Sequence, residues 1–164
     1  MAIYPGNVAD VFAFLLRGGV GNFGGENMTH FVVNWLGVVL ATLGSMALGM
    51  AWYMGFSKQW IAATGKKENE LLGSGGSAMP FVWAAISQLV MAYFIAMLTS
   101  ALFPNDVSLY YGVLVGVHMW FGFILTAMII NHRYQNMSWS LTLIDGGYLL
   151  GVVIVQGAII GVFG

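Results

Sequence analysis

The stretch LTLIDGGYLLGVVIVQGAIIGVF, Leu141 to Phe163, decides the fold. It matches the roughly 20 apolar residues needed to cross a hydrocarbon core about 30 Å thick, and its one formal charge is Asp145, near its start. Three more runs of similar length carry no Lys, Arg, Asp or Glu: Phe31 to Phe56, Pro80 to Phe103 and Leu109 to Ile130. In lipid every backbone polar group must be paired within the protein, and runs this long fit helices rather than barrel strands of about ten residues. The expected fold is all-α, a polytopic membrane bundle of four transmembrane helices.

Composition agrees. The 164 residues are 59% hydrophobic and 7% charged, against about a quarter charged in soluble domains. A net charge of −1 offers neither the basic surface that binds nucleic acid nor an acidic tail. With no cysteine there is no disulfide, thiol nucleophile or Cys-ligated zinc site. The connections Pro104 to Ser108 and Asn131 to Ser140 are short, so sequential helices should be antiparallel neighbours. The first connection, SKQWIAATGKKENELLGSGGSAM, has an amphipathic start, a charged middle and a Gly/Ser-rich end, with no room for a soluble domain. Lys58, Lys66, Lys67 and Arg133 fall in the first and third connections, against Arg17 alone on the other side. The positive-inside rule then puts both termini outside, periplasmic or lumenal, and in a bacterium the bilayer would be the cytoplasmic membrane.

Residues 1–30 stand apart from the expected four-helix domain of 31–164. NVADVFAFLLRGG spaces Val8, Val11, Phe12, Leu15 and Leu16 as a helix does, with Asn7 placed as N-cap, which suggests a short amphipathic helix lying on the outer interface. It is too short to span, and no Lys or Arg precedes it as in a signal peptide. GVGNFG, Gly19 to Gly24, matches G-x-G-x-x-G literally, but no strand leads into it. It therefore reads as a loop, and no nucleotide is expected.

Small residues recur every fourth position inside the spans. Gly37, Ala41, Ser45 and Gly49 share one face; Ala84, Ala92, Ala96 and Ser100 share another with Gln88; Gly112/Gly116, Gly147/Gly151 and Gly157/Gly161 are GxxxG pairs. Such faces let helix backbones approach closely, within the chain or against a partner. His118, Gln88 and Gln156 each need a hydrogen-bonding neighbour at membrane depth. For His118 a packed histidine is the first expectation, and the axial ligand of a haem or other pigment is the alternative. Bis-histidine haem ligation within one subunit is not expected, since no second histidine lies at mid-membrane depth.

Polar residues concentrate at the inner interface. Trp52, Tyr53, Asn131, His132, Arg133, Asp145 and Tyr148 fall at one level and form the candidate polar cluster. Interfacial preference accounts for the Trp, Tyr and Arg. Asp145 is expected to be a structural latch near the positive end of its helix dipole, reached by Asn131, His132 or Arg133, with a proton or cation site as the alternative.

VNWLGVVLA, then LGMAWYMGFSKQW, then FGFILTAMIINHRYQNMSWSLTLIDGGYLLG together resemble the domain of unknown function 1761 family of small membrane proteins. The residues carrying the resemblance are Asn34 and Trp35; Gly49, Trp52 and Tyr53; Phe56 and Trp60; then Asn131, Ile144, Asp145, Gly147 and Tyr148. It covers about Val32 to Gly164 and implies four helices; it brings no activity and no catalytic residue.

Function is expected to be non-catalytic: an accessory or structural subunit of a larger membrane complex, such as a respiratory or photosynthetic one, in contact with lipid and with other subunits or copies of itself. The alternative is a small oligomeric carrier or channel using Asp145 as a proton or cation site. Neither a nucleophile–base–orienter triad nor HExxH is present, and His30, His118 and His132 are scattered, so no catalytic residue and no metal site is assigned. A lipid, or a pigment on His118, remains the only cofactor the pattern suggests.

Overall fold

The computed structural model describes residues 33–66 and 78–163. The amphipathic segment around Val8 to Leu16, the glycine loop Gly19–Gly24, His30 and Lys67 lie outside the described residues. Among the described residues all regular structure is helical: α1 (Trp35–Gly55), α2 (Ser57–Thr64), α3 (Met79–Leu102), α4 (Leu109–Tyr134) and α5 (Trp139–Phe163). All but α2 are long and apolar enough to cross a membrane.

Local chemistry sets the ends. Asn34 caps α1, its side-chain oxygen accepting from the backbone N–H of Leu36 and Gly37 at 3.1 and 3.2 Å, and its amide donates to the Phe163 carbonyl at the end of α5. The first helix therefore starts at Trp35 rather than at Phe31. Ser138 accepts from Leu141 N at 3.1 Å, which starts α5 two residues before the expected Leu141 and sets Asp145 nearly two turns inside it. The third span continues past Ile130 to Tyr134, because the polar run after it leaves the apolar layer without leaving the helix. Left-handed residues stop the chain beyond two helices: Gly65 (φ 69°) after α2 and Asn136 (φ 54°) after α4.

The core is where α1, α3 and α5 meet, around Val38 and Ala41, Ala92, Ile95 and Ala96, and Val153 and Ile160. α5 is the central helix and packs against every other spanning helix. Its closest neighbour is α4, for a steric reason. A Cβ on Gly157 would lie 2.5 Å from the carbonyl carbon of Gly112, and one on Gly116 2.6 Å from the Val153 carbonyl oxygen. A Cβ on Gly161 would similarly meet the backbone of Ser108 and Leu109. The two GxxxG pairs thus face each other, and main chain rests on main chain where hydrocarbon tails give no hydrophobic drive. On the α1 side, Gly147 and Gly151 receive Trp52 and Leu48.

In mid-span α4 widens into a π turn, Trp120–Leu125. The turn accompanies a specific contact: the Trp120 indole N–H donates to the Gly146 carbonyl of α5 at 2.9 Å. Below it, the Thr126 hydroxyl bonds back to Gly122 and Phe123 carbonyls.

Candidate functional site

The bundle interior holds a ladder of polar side chains. Gln156, fully buried on α5, donates through Nε2 to the Ser45 hydroxyl of α1 and the Gln88 carbonyl of α3, both at 3.0 Å, which ties three helices at mid-depth. The Gln88 side chain in turn donates to the Tyr148 hydroxyl at 2.6 Å. Tyr148 meets the Tyr53 ring edge-on, centroids 5.0 Å apart, and the Tyr53 hydroxyl donates to Asp145 Oδ1 at 2.9 Å. The same oxygen accepts the Trp60 indole N–H at 3.1 Å. Trp60 arrives from α2, which Phe56 and Ser57 turn away from α1 and which packs under the start of α5. The amphipathic opening of the first connection therefore supplies one of the two donors to the carboxylate, which stays half-buried.

Asp145 is thus joined to Tyr53 and Trp60 rather than to the end of α4. His132 and Arg133 reach one turn short of it: both bond the Thr142 hydroxyl, at 2.9 and 3.1 Å, and Arg133 stacks on Trp139 at 4.0 Å. Asn131 is exposed and stands outside the cluster. The reason is angular. Thr142 and Gly146 of α5 turn toward α4, whereas Asp145 and Tyr148 turn toward α1 and α3, so residues at one depth divide into two groups. Trp52 belongs to packing: its ring lies against Gly147 and Phe56, and its buried indole N–H has no hydrogen-bond partner among the described residues.

His118 is the second departure from expectation. It is exposed on the outer side of α4, so no helix of the described residues packs over it. Its Nδ1 lies 2.8 Å from the Leu114 carbonyl one turn back. A carbonyl only accepts, so Nδ1 carries a proton, and in the neutral imidazole Nε2 is then the nitrogen with the lone pair. Gly122, with open space where a Cβ would be, and Thr126 continue the same exposed stripe.

Sequence reasoning left Trp60, Ser45, Thr142 and Trp120 out of the candidate cluster. Trp60 had a signal, since it stands at helical spacing in the amphipathic opening of the connection. Ser45 lay on the recognised small-residue face. The partnerships of Thr142 and Trp120 depend on helix rotation and had none.

Between α1 and α3 a cavity of about 770 Å³ opens toward the membrane, with Tyr53 and Tyr148 in its lining. Among the described residues no three His, Asp or Glu side chains are grouped to hold a metal ion.

Four apolar spans, an interior polar ladder and glycine-mediated helix contact define a four-helix integral membrane protein. The model of a family described as protein of unknown function (DUF1761) matches residues 36–161, and the chain belongs to that family. No curated protein and no solved structure matches it.

Proposed function

We propose that this protein is a non-catalytic accessory or structural subunit of a larger membrane assembly, of the respiratory or photosynthetic kind. The observation that carries the reading is the exposed stripe of His118, Gly122 and Thr126 on α4, the spanning helix least covered by its own chain. A mid-membrane imidazole facing lipid leaves Nε2 without a hydrogen-bond partner, a state polar side chains in spans escape by facing another helix. Gly122 beside it leaves room for a close approach. The partner is a helix of another subunit or of a second copy. An Nδ1–H held by a backbone carbonyl with Nε2 directed outward is also the arrangement of an axial ligand, so a haem or other pigment shared with the partner falls within the same reading.

The basic end, with Lys58, Lys66 and Arg133, is taken to face inside and both termini outside, which in a bacterium places the protein in the cytoplasmic membrane. The test is extraction in mild detergent followed by native mass measurement. The expected particle is far heavier than 17.7 kDa, and His118→Leu should release a lighter one with the helical content unchanged. A wild-type monomer would sink the proposal, and a colourless preparation would remove the pigment.

A second reading, a small oligomeric carrier or channel with Asp145 as proton or cation site, has one observation in its favour: Tyr53 both lines the cavity and donates to Asp145. Flux in proteoliposomes that disappears in Asp145→Asn would support it.

A further inference from the structure

The cavity between α1 and α3 has two kinds of wall. Met46, Met50 and Met54 stand one turn apart along α1, opposite Phe81 and Ala84 of α3. Thioether side chains are unbranched and polarizable, and surfaces built from them adapt to apolar guests of varied shape. Met50, Met54 and Phe81 are exposed, so the cavity opens sideways toward hydrocarbon. Gly49 belongs to the lining, and the absence of its side chain preserves the space: a Cβ there would lie 2.9 Å from the Tyr148 hydroxyl. Its volume of about 770 Å³ falls within the common range of small-molecule sites, about 300–1,000 Å³.

The polar side chains of the lining are Tyr53, Ser57, Gln88 and Tyr148. Tyr53 is committed to Asp145, whereas the Gln88–Tyr148 pair has unused hydrogen-bonding capacity. Gln88 is only 4% exposed, and among the described residues its Oε1, itself buried, has no partner; a guest meets it once the carboxamide swings toward the cavity. Its Nε2 donates to the Tyr148 oxygen, which leaves the Tyr148 hydroxyl proton to seek an acceptor. A buried carboxamide oxygen without a donor is costly, and the cost is relieved if a guest supplies one. The missing complement is one group that donates to Gln88 and accepts from Tyr148. A hydroxyl does both. If the amide is turned, its N–H groups need an acceptor, and a hydroxyl answers that as well. Among the described residues no Lys, Arg or His lines the cavity, so they offer an anionic phosphate headgroup no counter-charge.

We propose that this cavity binds a neutral lipophile headed by a hydroxyl group, the hydroxyl lodged between Gln88 and Tyr148 and the hydrocarbon lying along the methionine wall. Long-chain isoprenoid alcohols and alkyl quinols share that chemistry. This site is independent of the α4 stripe, and its test does not depend on assembly.

The experiment uses the full chain in nanodiscs of zwitterionic phospholipid. Three probes are compared by equilibrium binding: geranylgeraniol, decyl-ubiquinol and a saturated hydrocarbon of matching length. At least one hydroxyl-headed probe should bind saturably, and which of the two binds more tightly identifies the source. Gln88→Leu should weaken it about tenfold, the worth of one buried hydrogen bond. Ala84→Phe, which fills the space and leaves the polar ladder intact, should abolish binding while circular dichroism and melting stay as in wild type. Hydrocarbon binding as well as the alcohols, no saturable binding of either alcohol, or full binding by Ala84→Phe would each overturn the proposal.

Discussion

A charged aspartate at the centre of a spanning helix costs about 2.5–3.5 kcal/mol on insertion scales, and Asp145, nearly two turns inside α5, lowers that cost with two donated bonds from Tyr53 and Trp60. Both fall on one oxygen. Asparagine keeps an acceptor oxygen but turns two bonds to a carboxylate into weaker neutral ones, a loss that outweighs the relief of the charge, so Asp145→Asn should destabilise the fold by about 1 kcal/mol; Asp145→Leu strands the Tyr53 hydroxyl and the Trp60 N–H and should cost about 2–3 kcal/mol. Unfolding of the detergent-solubilised protein measures both, and equal losses for the two would contradict the assignment of the bonds. The sequence made Asp145 and Tyr53 visible as neighbours in depth, because interfacial aromatics and a lone carboxylate are readable from spacing. It pointed to Asn131, His132 and Arg133 as partners of Asp145, since they are nearest along the chain, and the rotation of α5 about its axis sends them to Thr142 or to solvent instead. That rotation is settled by packing of glycines against neighbouring helices, which no local pattern encodes.

Among the elements, α4 and α5 are joined by the strictest steric condition in the bundle. Gly157 and Gly112 touch through backbone, so a methyl at either forces the helices apart over their whole seam. Gly157→Ala should cost about 1–3 kcal/mol, the usual penalty of overpacking, and lower the melting temperature. Gly122→Ala, on the same helix as Gly112 but with nothing within 4 Å, should leave the isolated chain as stable or slightly more so, since alanine is the better helix former. If the α4 stripe is a partner face, the same Gly122→Ala should still weaken the assembly, and Gly157→Ala should reduce it only in proportion to folding. Comparing melting with native particle mass for the two variants separates the effects. The GxxxG spacings marked these faces as surfaces of close approach, but which helix each would meet came only with the fold. The helix ends were less legible: hydrophobicity marks where a helix leaves the apolar layer, whereas the helix itself runs on through His132 and Arg133 and stops only at the left-handed Asn136.

Across the whole molecule, the remaining question is which way the bundle faces, and the charges answer it only through their end-to-end asymmetry. Lys58, Lys66 and Arg133 gather at the end where α2 and the α4–α5 turn lie, while the α3–α4 turn at the other end carries only Asp106. Cations near the ends of spans hold an end on the inner side, and acidic residues count for little, so the α4–α5 turn should be inside and the α3–α4 turn outside. The absence of cysteine makes the chain its own blank for a labelling test. Asn105 and Gln135 are both exposed, one in each turn. In intact cells or right-side-out vesicles a membrane-impermeant maleimide should label Asn105→Cys at once and Gln135→Cys only after permeabilisation. The reverse pattern would invert the bundle. It would also move Asp145, Trp60 and the mouth of the α1–α3 cavity to the opposite face, so that any lipophile entering there would come from the other leaflet.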